Sequence, residues 1–183
     1  LFIRAFFIEA FKIPTGSMIP TLMVGDHLFV NKLSYGPRIP FTNVRIAEFG
    51  QPERGEIVVF VFPGEGDDHG KDFIKRIVAV AGDRVRLTDN VLFVNGEAVI
   101  TDPGISRQSC SDDNLTACQC IRQTERLGDV TYVTQHVAPG SDVFRGCMNN
   151  PDWPSDDPRQ IGNSAHNPDF PEVVVPQGHV FAM

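Results

Sequence analysis

A chain of 183 residues, 42% of them hydrophobic, can bury a full core in one domain or a domain with an insertion, which excludes disorder as the overall reading. Its formal charge of −7 excludes nucleic acid as a natural partner, because that affinity comes from lysine and arginine displacing counterions. No stretch supplies the about 20 apolar residues of a membrane-spanning helix, and short apolar runs between fourteen prolines and sixteen glycines favour a mostly β, antiparallel architecture.

Residues Leu1 to Phe11 are strongly apolar, and two readings stay open. They form either the tail of a membrane anchor, with Phe6, Phe7 and Phe11 dipping into the bilayer surface, or a buried first strand. Next, Pro14-Thr15-Gly16-Ser17-Met18-Ile19-Pro20-Thr21-Leu22 reads as a tight, stiffened turn that displays a serine. Gly25-Asp26 turns the chain into a strand, His27 to Leu33, with Leu28 and Val30 on one face. After a loop, Arg54-Gly55-Glu56 opens Ile57 to Phe62, a continuous apolar run expected to form a central strand buried on both faces. An acidic loop with Glu65, Asp67 and Asp68 separates it from a second strand, Lys71 to Val80, and the two form a predicted hairpin. Ala81-Gly82-Asp83 turns again, and Asn95-Gly96 within Val91 to Val99 is the strongest hairpin signal in the chain.

From Thr101 the composition shifts to Cys, Pro, Asp and Asn, and residues 101–171 are expected to be an inserted, loop-rich second domain. The first part of the catalytic β domain is then 1–100, and 172–183 return to it. Within the insert, Asp129 to Val137 alternates as a half-exposed strand. Cys110, Cys118, Cys120 and Cys147 suit two disulfides in an oxidising compartment better than a metal site, for only one C-x-C pair is present. Of the three possible connectivities, Cys110–Cys118 with Cys120–Cys147 is preferred, since a Cys118–Cys120 bond is strained.

The chemistry rests on a serine and a lysine. A serine hydroxyl becomes a good nucleophile only when a base takes its proton, and a lysine can do so only when neutral. Holding the amine neutral near pH 8 requires roughly 3 kcal/mol of desolvation. In the second hairpin strand, period-two alternation places Phe73, Lys75 and Ile77 on one face and Arg76 on the other, so Lys75 is the candidate base rather than Lys12, Lys32 or Lys71. The plainer alternative is a snorkelling lysine whose stem packs and whose head reaches water. Gly16 permits close approach to the Ser17 amide, which with the Thr15 hydroxyl can form an oxyanion hole. None of the five histidines sits in a nucleophile or carboxylate motif.

Four segments in this order resemble the bacterial type I signal peptidases, membrane-anchored serine endopeptidases that remove signal peptides from exported proteins. They are Ile13 to Leu22, Arg54 to Phe60, Asp72-Phe73-Ile74-Lys75-Arg76 through Asp83, and Val175-Pro176-Gln177-Gly178-His179-Val180-Phe181. A fifth, Leu127-Gly128-Asp129-Val130-Thr131-Tyr132, is similar to a segment of the Gram-negative members. The resemblance implies Ser17 as nucleophile, Lys75 as general base, and Thr15, which stands where many members have serine, with the Ser17 amide as oxyanion hole. It implies a groove for small side chains (Ala-X-Ala) lined by Phe11, Ile13, Pro14, Met18, Leu22, Leu28, Val59, Phe73 and Ile74, with Asp72 beside an extended substrate bound as an added strand. It also implies signal peptides of exported preproteins and the membrane surface as partners, no metal or cofactor, a monomer, and a catalytic domain facing the periplasm from the bacterial inner membrane. Members carry a preceding transmembrane anchor and a following Gly-Asp-Asn-Arg-rich stretch that supports the lysine, so residues 1–183 by themselves are expected to be poorly active. The rival readings are a pilus-processing peptidase of a conjugation system and a non-catalytic periplasmic domain that binds extended peptides.

Overall fold

Two apolar runs joined by a glycine-containing loop, β3 (Ile57–Val61) and β4 (Asp72–Val80), make the predicted antiparallel hairpin, in register from Ile57 opposite Arg76 to Val61 opposite Asp72. In the computed structural model the described residues are 8–36, 50–62, 64, 69–88, 91–104, 107–111, 119–138 and 170–183, and their regular secondary structure is strand apart from one 3-10 turn. Phe6, Phe7, the acidic loop carboxylates Glu65, Asp67 and Asp68, and Cys118 and Cys147 lie outside them.

β13 (Val180–Ala182) pairs with the far end of β4, giving the order β13-β4-β3. The centre of this sheet is therefore β4, and the expectation of a central β3 is corrected. Ile57 and Val61 are 39% and 50% exposed, whereas Ile77, Val78 and Ala79 of β4 are at most 2% exposed. An unbroken apolar run reports burial but not lateral position. The nine-residue β4 outreaches β3 and so gains a second neighbour.

Gly82, at φ 89°, turns the chain into β5 (Arg84–Thr88), which pairs with β6 (Val91–Val94). Asn95 and Gly96, at φ 53° and 84°, hold both positive-φ positions of the tight turn from β6 into β7 (Glu97–Ala98). β12 (Phe170–Val174) adds to the outer side of β5. Asp83 ties this sheet to the first: its carboxylate accepts from Arg54 Nε (2.7 Å), the Val80 amide (2.8 Å) and Asn95 Nδ2 (2.9 Å). Burial pushes the Asp83 carboxyl up, but Arg54 and the other two donors outweigh it and hold it below the usual range.

The cysteine-bearing segment contributes β8 (Ile100–Asp102), β9 (Arg107–Ser109), β10 (Gln119–Leu127) and β11 (Val130–Val137). β10 and β11 form a long hairpin around Gly128, with β8 and β9 on the other edge of β10. Pairing of Ser109 with Gln119 and of Gln108 with Cys120 brings the Cys110 and Cys120 Cα atoms to 5.0 Å, and these two form the disulfide. This corrects the preferred Cys110–Cys118 and Cys120–Cys147 pairing. Strand register, which cysteine spacing does not encode, decides the partner.

The main core gathers Val78 and Ala79 of β4, Val85, Leu92, Val94, Val99, Phe170 and Val175, and it takes Leu127 from β10. Tyr132 of β11 packs against the same cluster. A separate two-stranded ribbon joins β1 (Ile8–Lys12) to β2 (His27–Asn31). One of its faces carries half-buried Glu9, Phe11, Leu28 and Val30. The other turns Ile8 and Phe29 outward, Phe29 being 79% exposed. Of the apolar opening run only residues 8–11 are described, and they lie in a strand whose residues are alternately exposed and half-buried rather than buried.

Candidate active site

The segment between β1 and β2 is folded back on itself. The Ile13 amide donates to Asp26 O and the Gly25 amide to Ile13 O, both at 2.9 Å, closing a loop that holds a single 3-10 turn, Gly16–Met18. Thr15 enters the turn in extended conformation and does not cap it with its side chain. Inside the turn, Ile19 N donates to Gly16 O (3.0 Å) and Leu22 N to Met18 O (2.9 Å). Ser17 is exposed while its neighbour Met18 is 6% exposed, so the turn uses methionine as its anchor and presents the serine.

Met18 is seated against β4. Ile13, Met18 and Ile74 form a second buried cluster against which Leu22, Leu28 and Val59 pack. Six of the residues expected to line a groove are thereby brought together, with Ile13, Met18 and Ile74 as floor and Leu22, Leu28 and Val59 as half-exposed flanks. Phe73 lies apart from that cluster, stacked on Phe62 at 4.9 Å between ring centroids and tilted against Phe60 at 6.2 Å. Phe11 is half-buried opposite Leu28, Pro14 is exposed, and Asp72 is exposed opposite Val61 at the start of β4.

Lys75 follows Ile74 on β4 and stands across from Val58. β13 reaches along β4 as far as Arg76, whose amide and carbonyl exchange hydrogen bonds of 2.9 Å with Met183. Lys75 is half-buried, and desolvation pushes its amine below the ordinary lysine range, as a general base requires.

Two features went unrecognised in the sequence. Arg76, read only as pointing away from Lys75, is 8% exposed. It donates from Nη1 to Gly55 O at 2.6 Å and lies 4.3 Å above the Tyr132 ring centroid. The second is a cavity of about 220 Å³ between the serine turn and the β10–β11 hairpin, bordered by Ser17, Thr21, Arg76, Glu125, Tyr132 and His136. An arginine inside an apolar strand is the one local signal that could have announced both. Among the described residues no cluster of His, Cys, Asp and Glu could hold a metal ion, and no helix is long and apolar enough to cross a membrane.

An exposed serine turn is thus seated on a strand that carries a desolvated lysine, in a chain whose described regular structure is nearly all β. The chain belongs to the family described as "Signal peptidase, peptidase S26", which it matches over residues 1–183. It is 49% identical over 100 residues to Signal peptidase I of Pseudomonas fluorescens, a match covering 54% of this chain and 34% of that protein. Signal peptidase I of Pseudomonas aeruginosa is 46% identical over the same shares. That of Buchnera aphidicola subsp. Schizaphis graminum is 46% identical over 88 residues, 48% of this chain and 27% of the relative. The matches thus span about a third of the length of these curated relatives.

Proposed function

We propose that this chain is the catalytic region of a serine endopeptidase that removes signal peptides from exported preproteins after small residues, in an Ala-X-Ala context. One observation carries the reading: the turn that presents Ser17 is anchored through Met18 on Ile74, the residue that precedes a lysine whose burial favours the free amine. Family membership gives this pairing its chemical sense.

In the proposed reaction Ser17 Oγ attacks the scissile carbonyl while the Lys75 amine takes its proton. The oxyanion that forms is stabilised by the Ser17 amide and the Thr15 hydroxyl. Collapse of the intermediate expels the mature protein's amino terminus, protonated by Lys75, and leaves the signal peptide esterified to Ser17. Water, deprotonated in turn by Lys75, hydrolyses that ester. The apolar floor of Ile13, Met18 and Ile74 suits alanine side chains, and an extended substrate can lie along Asp72 and Phe73. The test is cleavage, by the whole protein, of a peptide carrying Ala-X-Ala after an apolar run. Scission after the second alanine is expected, and scission elsewhere, or none, refutes the reading.

The same proposal places the catalytic region at the periplasmic surface of the inner membrane. Phe29 at 79% exposure, with Ile8 at 47% beside it on the outward face of the β1–β2 ribbon, offers apolar area to an interface. Phe29→Ser is expected to weaken sedimentation of residues 1–183 with phospholipid vesicles several-fold while leaving the melting temperature unchanged. Equal binding by both forms removes the ribbon from the membrane contact.

A further inference from the structure

We propose that Tyr132, on the β10–β11 hairpin, is a positioning residue of the hydrolytic site, acting through Arg76 to hold the serine segment in register with the lysine strand. The inference rests on the reading of Ser17 and Lys75 as the reacting pair.

Arg76 touches three separate pieces of chain. Its Nη1 donates to Gly55 O in the turn before β3, its Nη2 donates to Thr21 Oγ1 at 3.5 Å on the segment that follows Ser17, and its guanidinium carbon lies over the Tyr132 ring at 4.3 Å from the centroid. Through the backbone it is joined directly to Lys75. Any rotation of this side chain therefore changes how the serine segment sits relative to the lysine strand. A planar guanidinium over an aromatic face is held in one orientation by the ring, and the attraction strengthens away from water.

Tyr132 is itself fixed. It packs against the main core and stands opposite Glu125, which is 7% exposed and held by Thr134 Oγ1 donating to Glu125 Oε1 at 3.0 Å. The ring, the guanidinium, Thr21, Ser17 and Met18 border one cavity, so the hairpin faces the nucleophile's surroundings. Misplacement of a reacting group by about 1 Å costs on the order of a hundredfold in rate, so a loosened Arg76 is expected to lower kcat rather than raise KM.

Two substitutions in the whole protein separate positioning from simple support. Tyr132→Phe keeps the aromatic face and loses only the hydroxyl. Tyr132→Met keeps apolar volume and loses the face. With rates normalised to folded protein by circular dichroism, Tyr132→Met is expected to lower kcat about tenfold with KM for an Ala-X-Ala peptide within about twofold, and Tyr132→Phe to retain kcat within about twofold. A Phe variant as slow as the Met variant, or a Met variant with normal kcat, overturns the proposal. If the Met variant does not fold, Tyr132→Leu takes its place with the same expected tenfold loss and the same overturning outcome, and a tenfold loss in the Phe variant assigns the effect to the hydroxyl and overturns the proposal. Activity surviving in Ser17→Ala or Lys75→Ala would instead overturn the underlying pair.

Discussion

Replacing Ser17 by alanine is expected to lower kcat/KM for an Ala-X-Ala peptide by about 10⁴-fold or more, leaving only binding and oxyanion stabilisation. Lys75→Met should cost on the order of 10³ to 10⁴, the worth of a positioned general base. Lys75→Arg should not restore activity, because a guanidinium stays protonated across the accessible pH range. Thr15→Val should be milder, at about 10²-fold, since one oxyanion donor is lost and the amide of Ser17 stays. The pH profile follows from the sign of the shift at Lys75. Its protonated form cannot accept the serine proton, so the rate rises with pH and levels once the amine is free. Because burial pushes that amine down, the limb should lie below the ordinary lysine range. The readout is kcat/KM from pH 6 to 10 in the whole protein. Full activity in either Ser17→Ala or Lys75→Met ends the assignment, and a limb at the ordinary lysine position shows that burial does not tune the base.

Local rules sufficed where the physics is local. Asn95-Gly96 announced its hairpin because few other pairs tolerate two consecutive positive φ angles, and the alternation in Asp129 to Val137 announced β11. The hairpin of β3 and β4 was equally legible as two apolar runs joined by a glycine-containing loop. What failed depended on distant segments. β3 reads as central, yet β13, more than a hundred residues further along, takes the second side of β4. The cysteine partner depends on how β9 registers on β10. For the site, Ser17 and the apolar residues around Met18 could be singled out from turn chemistry and the order of motifs. An arginine inside an apolar strand could be noticed, but not what Arg76 does, because its partners Gly55, Thr21 and Tyr132 come from three parts of the chain and only the fold brings them together.

Gly55 is where that dispersed arrangement is most vulnerable. It sits at φ +88°, its amide donates to Ile77 O at 2.7 Å, and a Cβ added there would lie 2.7 Å from Val130 Cβ and 2.8 Å from its Cγ2. Gly55→Ala therefore carries two penalties, about 1 kcal/mol for the left-handed backbone and about 2 kcal/mol for overpacking against the tip of the β10–β11 hairpin. For a chain of this size the sum corresponds to a fall of roughly 10 °C in Tm. Activity should drop further than stability explains, because Gly55 O is the acceptor that holds Arg76 Nη1. The two penalties can be separated through Val130. Val130→Gly removes the colliding side chain and should recover the overpacking part, read as a coupling of about 1 to 2 kcal/mol in a double-mutant cycle. Val130→Ala should recover less, since its Cβ stays 2.7 Å from the new methyl group. If neither change at Val130 couples to Gly55→Ala, the hairpin tip does not rest on this turn. The route from the hairpin to the lysine strand would then have to run through Tyr132 and Arg76 alone.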